Sequence, residues 1–330
     1  MTDLPVTMSA IGIDGGIGPA SALRLEQVDI PLPQDGEILI RVRAAGVNRP
    51  DVFQRMGLYP PAPGAPPTLG LEVAGEVVRG SGRWSVGDRV CALLGGGGYA
   101  DYAVCDARHA LPIPDGLSFE EAAGLPETAF TVYANVFEDG GLRPGETLLV
   151  HGATSGIGAM AIQMGRAAGA RVIATSRGST KAQAALTLGA DIAIDASAED
   201  FSSAAQAAGG VDVVLDMVGG DYFAKNLAAL KPRGRIVFIA GLGGMEVALP
   251  VMLLMQKRAV VTGSTLRART ADEKARLATL VEQVVWPWVA GGEIRSIIDH
   301  VYPLSEAAQA HERLESGSHV GKIILKPRVD

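Results

Sequence analysis

The stretch LLVHGATSGIGAMAIQMGRAAGARVIATSR, Leu148 to Arg177, decides the fold. Leu148, Leu149 and Val150 suit a buried strand, Ser155–Ala168 reads as a helix, and RVIAT reads as a second strand. Between the first strand and the helix, Gly152, Gly156 and Gly158 let the backbone turn tightly and approach a phosphate closely. The helix that follows offers unpaired N–H groups and the positive end of its dipole to a pyrophosphate. A glycine-rich turn carries weight only with a strand before it and a helix after it, and this one has both. The turn residues Gly152, Thr154, Ser155, Gly156, Ile157 and Gly158 are therefore candidate dinucleotide contacts, and redox chemistry is the expectation.

Outward from this unit, strand and helix alternate. Strands read at Thr147–His151, Arg171–Thr175, Ile192–Ile194, Val211–Leu215, Arg235–Ala240 and Ala259–Thr262. Helices read at Ser155–Ala168, Thr180–Leu188, Phe201–Ala208, Tyr222–Leu230 and Val251–Gln256. Six strands with crossover helices predict an α/β fold built on a doubly wound parallel sheet. The preceding third is β-rich, with strands in Glu37–Val47, Leu71–Gly80, Asp88–Leu94 and Tyr99–Cys105, and a Pro-rich loop at Gly57–Gly70. The tail reads as a helix from Ala271 to Val289, a strand from Ser296 to Tyr302, a helix from Leu304 to Leu314 and a strand from Gly321 to Leu325. The expected domains are 1–125, β-rich, with 266–330 returning to it, and 126–265, dinucleotide-binding. The active site is expected in the cleft between them, a usual place for ligands.

The 330 residues are 48% hydrophobic and 20% charged, a globular profile, and the net charge of −7 with no obvious basic face argues against a nucleic-acid partner. No apolar run is long enough to span a bilayer. The N-terminus lacks a basic-then-apolar signal pattern. Cys91 and Cys105 lie in strand-like runs and no CxxC pair exists, so no thiolate metal cluster is expected and the thiols read as reduced. The five histidines show no ligand spacing, and the metal prediction is none. These features fit a cytoplasmic enzyme.

An acidic residue ending the second strand normally binds the ribose 2′-hydroxyl of NAD. Here RVIAT leads into Ser176, Arg177, Gly178, Ser179, Thr180 and Lys181, with no carboxylate. A hydroxyl and two cations suit a 2′-phosphate, so Ser176, Arg177 and Lys181 point to NADPH. The alternative is a solvated helix start at which Ser179 or Thr180 caps. Ligands of open α/β sheets lie at the carboxyl ends of strands. That places Met217–Val218–Gly219, Ala240–Gly241–Leu242 and Ser264–Thr265–Leu266 at the nicotinamide end, with simple turns as the alternative.

The order of segments AAGVNRPDVFQRMGLYP, LGLEVAGEV, VGDRVCAL, GGYADYAV, HGATSGIG and GSTLRAR resembles the medium-chain dehydrogenase/reductase superfamily along essentially the whole chain. Within it the chain resembles the zinc-free, ζ-crystallin-like quinone oxidoreductase branch. GSTLRAR (Gly263–Arg269) and the Ser155–Gly158 form of the turn resemble the tumour-suppressor-inducible quinone reductase sub-branch. The resemblance implies a GroES-like catalytic domain beside a Rossmann domain. It also implies backbone contacts to the cofactor from Val218, Ala240, Gly241, Leu242, Ser264, Thr265 and Leu266, a nicotinamide neighbour in Thr131, and a homodimer. The edge strand VVTGST invites such pairing. Zinc-dependent members carry cysteine and histidine where this chain has Asn48 and Leu71, neither an effective zinc ligand. Relatives often place a tyrosine or histidine near the cofactor phosphates where this chain has Asp195, and an acid there would repel phosphate.

The implied catalytic candidates are Asn48, Tyr59 and Asp51. The Asn48 amide can donate to a substrate carbonyl, or Asn48 can cap the helix that Pro50 opens. Tyr59 can orient an acceptor, stack on it, or donate a proton, a phenol having an ordinary pKa of about 10; it can also simply pin the loop. Asp51 reads mainly as a structural partner of local backbone, and Glu72 and Glu127 as buried, hydrogen-bonded residues. The expected function is NADPH-dependent, zinc-independent reduction of a quinone or similar conjugated acceptor. The alternatives are an enoyl-thioester or alkenal double-bond reductase and a catalytically weak NADPH-binding, crystallin-like protein. A short-chain dehydrogenase is set aside, because Tyr222 and Lys225 lack the spacing that family uses.

Overall fold

The computed structural model describes residues 4–328, which form two compact units. One unit runs to Glu127 and takes in Arg267–Trp286 and the chain from Ser296 onward; the other holds Thr128–Leu266 and Pro287–Arg295.

The first unit opens with an antiparallel pair, β1 (Thr7–Ile13) and β2 (Leu23–Asp29). The eleven-residue β3 (Glu37–Val47) leads directly into α1 (Arg49–Arg55), which Pro50 suits because the first helical turn needs no N–H donor there. Three more sheet strands follow, β4 (Glu72–Arg79), β5 (Arg89–Leu93) and β6 (Tyr102–Asp106), then the short β7 (Ala110–Pro112). β3 pairs antiparallel with β4 along one edge and with β6 along the other. The Pro-rich segment between α1 and β4 has no regular structure. The chain then passes through α2 (Phe119–Ala123) and α3 (Pro126–Val132).

After a π-helical turn at Tyr133–Asp139, the second unit alternates β8 (Thr147–His151), α4 (Gly156–Ala167), β9 (Arg171–Ser176), α5 (Ser179–Thr187), β10 (Ile192–Asp195), α6 (Phe201–Ala207), β11 (Val211–Asp216), α7 (Tyr222–Ala229), β12 (Leu230–Phe238), α8 (Val251–Lys257) and β13 (Val260–Gly263). The strands are all parallel in the order β10-β9-β8-β11-β12-β13. This is the doubly wound dinucleotide-binding topology, with the order reversing beside β8. Every residue of β8 is buried, as a central parallel strand covered on both faces requires. β12 begins at Leu230, earlier than the Arg235 that the apolar pattern suggested: Leu230 pairs with Val211, the polar Lys-Pro-Arg-Gly stretch with its left-handed Arg233 bulges out of the ladder, and regular pairing resumes at Arg235.

The long α9 (Ala271–Ala290) starts at a capping box, in which Glu273 accepts from the Thr270 N–H and Thr270 from the Glu273 N–H. Its end departs from the sequence-based division. Pro287–Arg295 packs in the second unit, where Trp288 lies against Phe137 and Gln163 exchanges two hydrogen bonds with Arg295. A large aromatic needs apolar cover, and Phe137 supplies it. The tail then adds β14 (Ile298–Pro303), α10 (Ala307–Glu315) and β15 (Lys322–Lys326) to the first unit. β15 pairs antiparallel with the end of β3, Ile323 facing Val47 and Leu325 facing Ala45, beyond the part of the same edge that β6 uses. α10 packs Leu314 and Ala310 into the core with Ile38, Ile40, Val73 and Ile323.

Polar contacts tie α10 to α1. Arg55 is 2% exposed and forms a bidentate pair with Glu315 at 3.0 and 2.9 Å. Its Nη1 also lies 3.2 Å from His311 Nδ1, while His311 Nε2 lies 3.2 Å from the Tyr99 hydroxyl, which donates to Asp51 at 3.1 Å. Arg55 has only donors, so His311 accepts at Nδ1 and carries its proton on Nε2. Burial, then the neighbouring Arg55 and Arg49, push the imidazole down to about 3. A base whose folded pKa is depressed is stabilising while neutral, and that contribution is lost as pH falls through the unfolded value of 6.5. We expect urea unfolding of the protein to lose stability between about pH 6.5 and about pH 5, with His311→Gln making the slope shallower by roughly 1 kcal/mol per pH unit. Equal slopes for the two proteins would show that His311 is not the titrating group.

Candidate functional site

In the second unit the turn after β8 is shaped by close approach. Gly152 has φ +66°, where a side chain is strained. A Cβ on Gly158 would stand 2.2 Å from the Gly152 carbonyl oxygen. Ser155 caps α4: its hydroxyl accepts from the Gly158 N–H at 3.0 Å and donates to the Gly152 carbonyl at 2.8 Å. The Ser155 side chain therefore holds the turn, which leaves the first N–H groups of the helix, at Gly156 and Ile157, as the ones suited to an anion. Thr154 is buried beside them.

At the end of β9, Ser176 is 7% exposed and its Oγ is buried with no hydrogen-bond partner. Buried hydroxyls are normally paired, so this one marks a place where a ligand atom belongs. Arg177 beside it is exposed and makes no ion pair, among the described residues. Lys181 is half-buried on α5 and already engaged. Asp195 closes this turn: its carboxylate accepts from the Gly178 N–H at 2.8 Å and from Ser197, contacts that hold it below the usual carboxylate range. The donor set, an orphaned hydroxyl beside a guanidinium and a helix N-terminus, fits a phosphorylated dinucleotide.

The sequence gives no hint of what lies under this cradle. His151 is fully buried, with Nδ1 2.7 Å from Thr175 Oγ1 and Nε2 2.6 Å from Asn226 Oδ1. Asn226 donates in turn to Asp216, whose other oxygen accepts the N–H groups of Val218 at 2.6 Å and Gly219 at 2.9 Å. Because Asn226 uses its NH₂ on Asp216, its oxygen accepts from His151 Nε2–H, leaving Nδ1 to accept from Thr175. One chain of side chains thus couples the Thr175–Ser176 strand end to the Val218–Gly219 turn. That turn is zipped to the next: Leu242 N–H reaches Met217 O at 3.1 Å and Gly243 N–H reaches Val218 O at 2.7 Å. Ala240 and Gly241 are half-buried while Leu242 is exposed. Ser264 donates to Asn135 Oδ1 at 2.8 Å, and Asn135 donates to the Thr131 carbonyl at 2.8 Å. Asn135, which sequence reasoning missed, therefore links Thr131 and Ser264. Thr265 is exposed and Leu266 buried.

In the first unit Asn48 is 7% exposed and its amide is engaged. Oδ1 accepts from Lys322 Nζ at 2.7 Å and Nδ2 donates to Glu72 Oε1 at 2.9 Å; the second amide hydrogen has only a long contact, 3.4 Å, to the Gly46 carbonyl. Asn48 is the N-cap of α1, as expected, and the Asp51 carboxylate closes the cap by accepting the Asn48 N–H at 2.8 Å, while the Asn48 amide also reaches Lys322 and Glu72. Asp51 is fully buried, accepting from the N–H groups of Asn48 and Gly70 and from Tyr99. Burial raises it to about 6 despite these donors. It positions the start of α1 and the Gly70 turn. Glu72 accepts from the Glu127 N–H at 2.8 Å and pairs with Lys322 at 2.6 Å. Glu127 is pushed up to about 8 by burial and by Glu72, which favours its neutral carboxyl. Tyr59 is half-buried, its ring 4.4 Å from the Arg267 guanidinium, and Arg267 also donates to the Tyr59 and Pro60 carbonyls at 3.0 and 3.1 Å.

With this geometry established, known proteins were compared. Residues 34–115 match the alcohol dehydrogenase GroES-like domain and residues 188–325 a zinc-binding dehydrogenase domain. The donor set of this chain does not fit zinc, since Asn48 Oδ1 and Glu72 Oε1 share the Lys322 ammonium and Leu71 stands between them in the pattern. Mouse quinone oxidoreductase is 31% identical over 334 residues, 96% of this chain and 97% of that one. The Pseudomonas aeruginosa quinone oxidoreductase is 34% identical over 302 residues, covering 89% and 92%. Among solved structures, a quinone oxidoreductase of Pseudomonas syringae pv. tomato superposes with a TM-score of 0.86 at 30% identity over 97% of this chain and 100% of that one. A mycobacterial protein solved with NADPH superposes with a TM-score of 0.86 at 28% identity over the same shares. The strand order, the glycine turn and these likenesses agree: the chain is an oxidoreductase belonging to the quinone oxidoreductase branch of the medium-chain dehydrogenase/reductase superfamily.

Proposed function

We propose that this protein is an NADPH-dependent, zinc-independent quinone oxidoreductase of the cytosol. The observation that carries the cofactor choice is the unpartnered, buried Ser176 hydroxyl at a strand end that holds Arg177 and no carboxylate. A solved relative bound to NADPH supports the same choice. When bound, the nicotinamide supplies a hydride. In our reading the N–H groups of Gly156 and Ile157 hold the pyrophosphate, Gly158 keeps the turn close, and Ser176, Arg177 and Lys181 hold the 2′-phosphate. The turns at Val218, Ala240–Leu242 and Ser264–Leu266, with Thr131, orient the nicotinamide. Asn48 presents its loosely held amide hydrogen to the acceptor oxygen, polarised through Glu72 and Lys322. Tyr59 orients the acceptor and donates a proton. The two buried free thiols accord with a reducing compartment.

Reduction of an activated double bond is a second reading. The Tyr59 phenol, set beside Arg267, can deliver the α-carbon proton that such a reaction needs. Oxidation of NADPH and of NADH, followed with 1,4-benzoquinone and with a 2-enoyl thioester in the presence of a chelator, separates these readings. Quinone turnover with NADPH supports the first, enoyl turnover alone the second, and tight cofactor binding without turnover a crystallin-like role.

We also propose a homodimer through β13. This edge strand exposes Val260 and Val261, and α8 beside it exposes Val251, Met252 and Met255, an apolar surface of the kind that marks an interface. Light scattering should give a dimer, with Val261→Lys shifting it toward monomer; a monomeric parent protein would refute the pairing.

Ser176→Asp should lower kcat/KM for NADPH at least about tenfold and raise the relative use of NADH, because the new carboxylate repels a 2′-phosphate and bonds a 2′-hydroxyl. A parent enzyme that prefers NADH would overturn the argument from Ser176. Tyr59→Phe keeps the ring over Arg267 and removes the proton donor. It should lower kcat for the enoyl acceptor by roughly a hundredfold, with a smaller effect for benzoquinone, whose product takes protons from solvent. Unchanged enoyl turnover would transfer the donor role to another group.

A further inference from the structure

We propose that the Nε–Nη2 edge of Arg267, set against the Tyr59 ring, is a binding site for a planar oxyanion, and that the preferred acceptor of the enzyme carries a carboxylate. The inference rests on reading the Tyr59 region as the acceptor site.

Arg267 has its Nη1 occupied by the carbonyls of Tyr59 and Pro60, and one face of the guanidinium lies over the Tyr59 ring. Its Nε and Nη2 are buried and have no acceptor. These two nitrogens form the side of the guanidinium whose parallel N–H bonds match the two oxygens of a carboxylate. Leaving charged donors buried and unmet is costly, so an occupant is called for.

No side chain supplies it. Among the described residues Arg267 makes no ion pair, and a neighbouring cation adds to its charge: Lys274 Nζ donates to the Arg267 carbonyl at 3.2 Å. Glu127, within electrostatic reach of both, is held mainly neutral by burial. Glu273 is turned to the helix cap at Thr270. Among the described residues neither Arg267 nor Lys274 forms an ion pair, and two neighbouring cations favour an anionic ligand over a neutral one. A phosphate is the other oxyanion that a guanidinium edge accepts. The planar, two-oxygen carboxylate matches the parallel N–H bonds of the Nε–Nη2 edge, and the experiment separates the two anions. Arg267 Nη1 grips the Pro-rich loop at Gly57–Gly70 through the Tyr59 and Pro60 carbonyls. Anion binding and loop closure would then act on one side chain.

A matched pair of acceptors tests this: trans-3-benzoylacrylate and its ethyl ester, the same conjugated ketone with and without the charge. We expect kcat/KM for the acid to exceed that for the ester by roughly tenfold or more. Arg267→Lys, which keeps the charge but loses the fork, and Arg267→Gln should each abolish the ratio. A non-reducible analogue, 3-benzoylpropionate, should raise the thermal unfolding temperature of the parent protein and not of either variant. Unfolding of the unliganded variants checks that they are folded. No acid-over-ester preference together with no thermal shift overturns the inference. So does a loss of NADPH binding in both variants with the acid-to-ester ratio intact, which would assign the fork to a cofactor phosphate. Turnover of neutral benzoquinone reports on the oxidoreductase reading separately. If no acceptor is reduced but 3-benzoylpropionate binding still depends on Arg267, the acceptor reading fails and the anion site stands.

Discussion

The first unit is organised around one buried ion pair. Lys322 and Glu72 are 4% and 0% exposed, and their charges lie 2.6 Å apart. Such a pair is tolerable only when each remaining donor and acceptor is met. Lys322 has three protons and three acceptors: Glu72, Asn48 Oδ1 and the Val47 carbonyl. Glu72 takes Lys322 and Asn48 on one oxygen and the Glu127 N–H on the other. Four segments thereby meet: the tail strand β15, the end of β3, the start of β4 and the entry to α3. Gly46 belongs to the same arrangement, since a Cβ there would stand 2.1 Å from Glu72 Oε1. In this chain the AAGVN and LGLE segments make sense as the housing of a fixed ammonium, with the glycine giving the carboxylate room to lie across β3.

The second unit shows the same economy with neutral groups. The His151–Asn226–Asp216 chain has a donor facing an acceptor at every step, and burial keeps the imidazole uncharged. It fixes the relative heights of the strand ends on which the proposed dinucleotide contacts sit. A network satisfied throughout is rigid, and rigidity is what a cofactor cradle built from backbone N–H groups requires.

Much of this was legible in the sequence, for identifiable reasons. The second unit is built around the buried central strands β8, β9 and β11 and their flanking helices, whose apolar runs and punctuating glycines are local signals. The strand Thr147–His151 and the helix after it follow from them directly. The glycine turn could be placed because Gly152 and Gly158 are demanded by backbone geometry alone. Short elements such as β7 and α2, and the β1–β2 pair with its largely exposed second strand, carry too few apolar positions to stand out. The side-chain partners of the site were beyond reach. Asn48 could be singled out by type, but the cation that claims its oxygen lies 274 residues away. Arg267 sat in a recognisable string, GSTLRAR, yet nothing local tells that half of its guanidinium is left unmet.

The distance between Asn48 and Lys322 also bears on how the chain is made. Synthesis runs from the N-terminus, and domains tend to fold as their sequence emerges. The strands β8 to β13 follow one another without interruption, so the second unit has its full sheet before Lys322 exists. The first unit, begun earlier, must hold Glu72 and Asn48 without their cation and the last stretch of the β3 edge unpaired until β15 arrives. The half of the protein translated first is thus the half completed last. Truncating the chain before β15 would remove a strand and also leave a buried carboxylate with no counter-charge at the centre of the sheet.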